Sequence, residues 1–289
     1  MTDEGPFPAR SRMLVATDLS ARSDRAVERA VAMAWSTGAA LTILHIVDAD
    51  LPARLADRRA DEARALIAEQ VATVPGRDAV APAIEVVFGR DHRDIADIAA
   101  KMSAGLIVTG IHRNETPELF RGTTVERLIR GGPCPVLMVK AKPLRPYRRV
   151  VIGIDFSECS RRAVEFAVRL LPDSEFHLVH AFDVPFKAFL SGDEIQREAS
   201  KGHQEQMDSF VGEDFSAFRT ASQVAPARLF QIVSQGTVRQ VIQEQSERLK
   251  ADLLVVGTHG RSGIAHALLG SVAEDLLSRP PCDVLAVRP

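Results

Sequence analysis

Five segments of this chain return in the same order later in the sequence, and that repetition constrains the fold more than any other feature. Met13-Leu-Val-Ala-Thr-Asp18-Leu-Ser20 returns as Val150-Val-Ile-Gly-Ile-Asp155-Phe-Ser157, an apolar run closed by Asp-x-Ser in both places. Leu44-His45-Ile-Val-Asp48 returns as Val179-His180-Ala-Phe-Asp183, and Val86-Val-Phe-Gly89 is matched by Ile232-Val-Ser-Gln-Gly236. Gly105-Leu-Ile-Val-Thr-Gly110 returns as Asp252-Leu-Leu-Val-Val-Gly257, and Gly132-Pro-Cys134-Pro-Val-Leu as Pro280-Pro-Cys282-Asp-Val-Leu. The offset is 137 residues at Asp18/Asp155 and 148 at Cys134/Cys282. The second copy is therefore longer, and the surplus lies around Phe186 to Pro226, between its second and third strands.

Each copy reads β-α-β-α-β-α-β-α-β. Strands of the second are expected near 149–154, 175–182, 228–234, 252–257 and 283–287. The first helices carry apolar residues at helical spacing, Ala26, Val27, Ala30, Val31, Ala34 and Ala163, Val164, Ala167, Val168, Leu171. Ser20 and Ser157 stand where an N-cap belongs. The fourth strands are unbroken apolar runs, as parallel strands covered on both faces require. Alternating strands and helices predict two tandem α/β domains, each a doubly wound parallel sheet of Rossmann-like order 3-2-1-4-5. The 289 residues suit two such domains, 1–144 and 145–289, divided near the Pro-rich basic Lys142-Pro-Leu-Arg-Pro146. The segment from Ser191 through Val211 reads as an acidic amphipathic helix, a solvated face or else a lid or partner surface.

A glycine-rich run, Gly257-Thr-His-Gly260-Arg-Ser-Gly-Ile-Ala-His-Ala-Leu-Leu-Gly270-Ser271, joins the fourth strand of the second copy to its last helix. Glycine admits close backbone approach, and the first helical amides point at an anion. The Ser271 hydroxyl adds a donor. In a doubly wound sheet the ligand lies in the crevice between strands one and four, so Asp155 and Gly257 should meet there. A carboxylate on one side can accept from ribose hydroxyls or the adenine amino group, and amides on the other can hold phosphates. The spacing is neither the P-loop nor the dinucleotide fingerprint. Gly-x2-Gly-x9-Gly-Ser at Gly257, Gly260, Gly270 and Ser271 instead resembles the ATP-binding signature of the universal stress protein family. The resemblance covers nearly the whole chain in two copies, so the chain looks like a tandem member, similar to a fused dimer of single-domain ones. It implies ATP, with Mg²⁺, as ligand. It puts Asp155 at the adenosine end, Ala181 beside the base, and Gly257, Gly260, Gly270, Ser271 and Val272 around ribose and phosphates. It also implies pairing between the last strands Val136–Val139 and Val284–Val287, an intramolecular pseudo-dimer that leaves a homodimer open.

The site expected in the second copy is Ile154, Asp155, Ala181, Val256, Gly257, His259, Gly260, Arg261, Gly270, Ser271 and Val272. His259 and Arg261 either approach the phosphates or face solvent. In the first copy Asp18, Ile46, Gly110, Gly122 and Thr123 occupy the matching places, but Arg113 replaces the middle glycine, Pro117 stiffens the loop and one residue is missing. Weak or absent ATP binding is expected there, although Arg113 offers the phosphates a cation. Asp155 has a plainer role open to it, stabilising the N-terminus of a helix. His45 and His180 read as structural or ribose-adjacent rather than as bases.

No P-loop lysine or general base stands beside the glycines, so slow ATP hydrolysis is the most that is expected, and no catalytic residue is assigned. An adenylyl-transferring or pyrophosphatase-type enzyme would carry Ser-Gly-Gly-x-Asp-Ser after strand one, where this chain has Asp155-Phe-Ser-Glu-Cys-Ser160. The remaining alternative is a nucleotide-free interaction scaffold. A formal charge of −2 with interspersed Lys and Arg gives no nucleic-acid footprint. Cys134, Cys159 and Cys282 form neither a metal set nor a disulfide framework. The N-terminus lacks a signal pattern, no run is long enough to span a bilayer, and a cytoplasmic setting is expected. The leading expectation is an ATP-dependent regulator in the stress response, with protein partners the sequence does not identify.

Overall fold

A computed structural model describes residues 11–90, 92–111, 122–183, 193–214, 228–258 and 270–288. The chain divides into two compact units, residues 1–146 with Asp283–Ala286, and residues 147–282 with Val287–Pro289.

In the first unit the strands are β1 (Arg12–Thr17), β2 (Ala40–Asp48), β3 (Ala83–Gly89), β4 (Ala104–Gly110) and β5 (Val136–Val139). Their order is β3-β2-β1-β4-β5 and every pairing among them is parallel. The last strand of the chain, β10 (Asp283–Val287), adds antiparallel to β5, with Leu285 opposite Leu137. Its carboxylate Asp283 is fully buried. The Asp283 Oδ1 accepts from the amides of Lys140 and Ala141 at 2.8 and 2.9 Å. The helices are α1 (Ala21–Thr37), α2 (Ala53–Thr73), the short α3 (Arg77–Val80), α4 (His92–Lys101) and α5 (Thr124–Gly131). All five apolar positions expected on α1 are buried, from Ala26 to Ala34. They pack on β1 and β4, whose residues Met13, Leu14, Val15, Leu106 and Ile107 water does not reach. Burial of such a set is the main stabilising term of a sheet of this kind.

The second unit repeats the plan. Its strands β6 (Arg149–Gly153), β7 (Glu175–Phe182), β8 (Leu229–Gln235) and β9 (Leu253–Gly257) run parallel in the order β8-β7-β6-β9. The helices are α6 (Glu158–Leu170), α7 (Asp193–Ser209), α8 (Val238–Arg248) and α9 (Ser271–Ser278), and a π-helical turn, Phe210–Asp214, continues α7. The observed strands fall within about two residues of the expected ones. Ala163, Val164, Ala167 and Val168 are fully buried on α6. Leu171 is the C-cap rather than a core position, with φ −133°, and Leu170 takes the buried place beside it.

The recurring Asp-x-Ser has a local physical cause. Leu19 and Phe156, the middle residues, both have φ of 61°, a left-handed conformation unusual for a side-chain-bearing residue. The preceding carboxylate holds the turn: Asp18 Oδ1 accepts from the Ser20 amide at 3.1 Å, and Asp155 Oδ1 from the Ser157 amide at 3.0 Å. The serine then caps the helix, Ser20 toward Ser23 and Ser157 toward Ser160. So one tripeptide turns the chain from strand to helix at the same place in both units.

Candidate functional site

In the first unit, a cavity of about 560 Å³ opens at the C-terminal ends of β1, β2 and β4. That volume falls within the ordinary range for a small-molecule site. Its place follows from the topology: β1 leads to β2 on one side and β4 lies on the other, so the flanking loops diverge. Asp18, Ile46, Gly110 and Thr123 line it, four of the five residues expected there. Gly122 does not line it; it is exposed with φ of 80°. The amide of Gly122 donates to Glu126 Oε2 at 2.6 Å, while Thr123 caps α5 by accepting from the Glu126 amide at 3.2 Å. Glu126 is 5% exposed and ion-pairs with Arg130.

Polar lining residues that were not singled out as ligand contacts from the sequence include Thr109, Asp48 and Arg90. Thr109 is 4% exposed, lines the cavity, and its buried hydroxyl has no hydrogen-bond partner among the described residues. A hydroxyl ending an otherwise apolar strand was the signal for it; the second copy has Val256 in that place. Asp48 and Arg90 also line the cavity, and Arg90 ion-pairs with Asp50 at 2.6 Å. Nearby, burial, with the Asp18 carboxylate adding to it, raises the Asp24 carboxyl above its usual range.

His45 and His180 share one structural role. His45 Nδ1 is 2.9 Å from the Thr17 carbonyl, and His180 Nδ1 is 2.8 Å from the Ile154 carbonyl. That carbonyl fixes the proton on Nδ1, so Nε2 of His180 accepts. Its donor is His203 Nδ1 of α7, at 3.1 Å. His45 instead faces the first-unit cavity. Around His180 the second unit is packed with rings: Phe156 at 4.3 Å, and beyond it Phe210 of the π-turn at 5.9 Å. Phe182 stacks on His203 at 4.6 Å. The longer second crossover thus delivers α7 as a packed helix, with Met207 and Phe210 buried.

Of the residues expected to hold nucleotide in the second unit, Asp155 is half-buried at the end of β6 and Ala181 half-buried near the end of β7. Ile154 and Val256 are buried, and Gly257 closes β9. Gly270 caps α9, where its amide donates to the Thr258 carbonyl at 3.0 Å. The N-cap residue of that helix is a glycine and makes no side-chain cap bond, in contrast to Thr123 on α5. Ser271 opens α9 and Val272 follows it; His259, Gly260 and Arg261 lie outside the described residues, as do Arg113 and Pro117 of the first loop. Cys159 is buried, and its thiol donates to the Val287 carbonyl at 3.3 Å. Cys134 is buried, while Cys282 is partly exposed. Among the described residues no cluster of three His, Cys, Asp or Glu is placed to hold a metal ion. None of the described helices is long and apolar enough to cross a membrane.

The sequence profile of the universal stress protein family matches residues 9–140 and again 146–288. Among curated relatives, a universal stress protein E homologue of Haemophilus influenzae is 27% identical over 56% of this chain and 55% of its own length. The chain thus spans little more than half of that relative. A universal stress protein of Methanocaldococcus jannaschii is 29% identical over 49% of this chain and 82% of its own length. Among solved structures, a universal stress protein from Archaeoglobus fulgidus superposes with a TM-score of 0.69 at 18% identity, covering 96% of this chain and 98% of that one. A Pseudomonas aeruginosa protein of unknown function gives 0.61 at 21% identity, over 97% and 93%. These likenesses show the fold.

Proposed function

The chain belongs to the universal stress protein family, and from that premise we propose that it binds ATP, with Mg²⁺, and acts as a nucleotide-dependent regulator in the stress response. We place the two domains at 1–144 and 145–289. The single observation that carries the reading is the junction of β9 and α9, where Gly257 ends a parallel strand and the N-cap of the helix is Gly270, which makes no side-chain cap bond. A helix start of that kind leaves amides for an anion. Asp155, at the end of the adjacent β6, supplies an acceptor for the nucleoside end. In this reading the bound nucleotide supplies the signal, and Mg²⁺ rides on its phosphates. The protein's residues bind and orient it: Gly257, Gly260 and Gly270 allow backbone approach, Ser271 donates a hydroxyl, and Ala181 leaves room beside the base.

Calorimetric titration of ATP and Mg²⁺ into nucleotide-stripped protein tests this, beside a Gly260→Val variant. A side chain at a point of close backbone approach should weaken binding by roughly 10- to 100-fold. Unchanged affinity in a folded Gly260→Val variant would remove the site assignment. No binding to the wild-type chain would turn the reading to a nucleotide-free interaction protein.

A further inference from the structure

The turn after β6 has the same backbone as the turn after β1, but it carries a ring. Leu19 and Phe156 both have φ of 61°. Leucine therefore suffices to form the turn, and the aromatic side chain of Phe156 does something more: it fastens α7 to it. The Phe156 ring lies 4.3 Å from that of His180 and meets Phe210 edge-on at 5.9 Å, where α7 passes into its π-helical turn. Arg161 of α6 stands 5.9 Å from the centre of the same Phe210 ring. About two turns earlier on α7, His203 donates to His180 Nε2 at 3.1 Å and stacks on Phe182 at 4.6 Å. Gln204 donates to Gln231 of β8 at 2.9 Å, so the helix reaches from β8 to the turn after β6. In the first unit the helix at the same point in the order, α2, has neither a histidine nor an aromatic residue from Ala53 to Thr73. The ring cluster is thus a feature the second unit adds to the shared plan.

Phe156 stands directly between Asp155, the acceptor assigned to the nucleoside end, and Ser157, the cap of α6. The same tripeptide is therefore held by a ligand on Asp155 and by the α7 rings on Phe156. Ordering it from one side lowers the entropy cost of ordering it from the other, which couples the two events without any direct contact between them. We propose that α7 is a nucleotide-responsive arm of the second unit: seating of α7 on Phe156 and binding of nucleotide at Asp155 favour one another. The state of the site is then presented on the outward side of α7, where Lys201, Glu205 and Asp208 are exposed. The inference rests on the reading of Asp155 as part of a nucleotide site.

Amide hydrogen exchange of the full chain, with and without saturating ATP and Mg²⁺, tests this on the wild type and on Phe156→Leu and Phe210→Ala. ATP should slow exchange across α7 roughly fivefold or more. The control is α8, which packs on β6 and β7 and contributes none of these rings; its exchange should respond clearly less. Phe156→Leu copies the first unit and keeps the turn. It should still bind ATP, while α7 exchanges alike in the two ligand states. Protection by direct contact between ATP and the helix would survive that change. Phe210→Ala should weaken ATP binding by about the same factor, because coupling is reciprocal, although Phe210 is no part of the assigned site. Phe156→Leu decides the matter even where Phe210→Ala does not fold. Unchanged exchange of α7 in the wild type, equal slowing of α7 and α8, or protection that survives Phe156→Leu would each overturn the proposal. Calorimetry on the same samples separates the two readings: no ATP binding to the wild-type chain overturns both, whereas ATP binding with an unresponsive α7 overturns the arm alone.

Discussion

The Sγ atom of Cys159 lies 3.0 Å from the place a Cβ on Gly257 would take, and the carbonyl carbon of the same cysteine lies 3.2 Å from it. The first turn of α6 is thus seated directly on the end of β9. The first unit repeats the contact, with the Arg22 carbonyl oxygen 2.9 Å from a Cβ on Gly110. Both glycines that end a fourth strand are therefore required by packing of the first helix, whatever ligand they also approach.

Gly257→Ala is expected to destabilise the second unit by about 1–3 kcal/mol, the usual cost of forcing a methyl into a packed contact. Part of that loss should return in Gly257→Ala/Cys159→Ala, which removes the sulfur but not the backbone neighbour. Thermal melting of the three proteins reads this out. A single variant as stable as wild type would show that the helix yields freely. The same result warns that lost ATP binding in a Gly257 variant cannot be assigned to the ligand contact.

Asp283 is the anchor of the last strand, fully buried, with its Oδ2 3.7 Å from the Arg29 guanidinium and its Oδ1 on two amides. Asp283→Ala leaves a buried arginine and two backbone N–H groups without that acceptor. The expected loss is about 3–5 kcal/mol, enough to lower the denaturant midpoint plainly. Asp283→Asn keeps an amide acceptor and should fall between the two. Equal stability of Asp283→Ala and wild type would contradict the assigned role.

The pH dependence of stability has an identifiable contributor in His177. It is 8% exposed, its ring stacks on Phe230 at 5.0 Å, and its Nε2 has no hydrogen-bond partner among the described residues. Burial pushes its pKa down from 6.5, helped by Arg248 and Arg149 and opposed by Glu175. The unfolded chain therefore takes up a proton on this residue at a pH where the folded one resists it. The contribution is complete above 6.5 and is lost as pH falls from there toward the lowered folded value. His177→Phe, which keeps the stack, should flatten the melting temperature across that interval. A profile parallel to wild type would reassign the effect to other histidines.

Much of this was legible because repeats report themselves. Matching Asp18 to Asp155 and Gly110 to Gly257 located four strand ends before any coordinate, and the hydrophobic spacing of α1 and α6 named their buried faces. What escaped reading depended on three-dimensional neighbours. The solitary Thr109 in an apolar run looked like a strand residue, since nothing in its flanks shows that the residue lines a cavity. The Glu126 carboxylate reads as an ordinary helix residue until its bond to the Gly122 amide is seen. His180 was legible as structural, but its partner His203 stands 23 residues away on a helix whose approach no local pattern fixes.

Asp155 allows the turn-forming and ligand-binding roles to be separated, because they use different properties of its side chain. The turn needs only an acceptor for the Ser157 amide, 3.0 Å away, and asparagine provides one. A ligand hydroxyl bonding to a charged acceptor gains strength that an amide oxygen does not match. Asp155→Asn should thus remain within about 0.5 kcal/mol of wild type in stability while losing about 3- to 10-fold in ATP affinity. Asp155→Ala should lose both, with a stability cost of about 1 kcal/mol from the broken turn. Paired melting and calorimetry on the two variants distinguish the roles. If Asp155→Asn binds ATP as wild type does, the carboxylate serves the turn alone, and the nucleoside end of that site must be held by other groups.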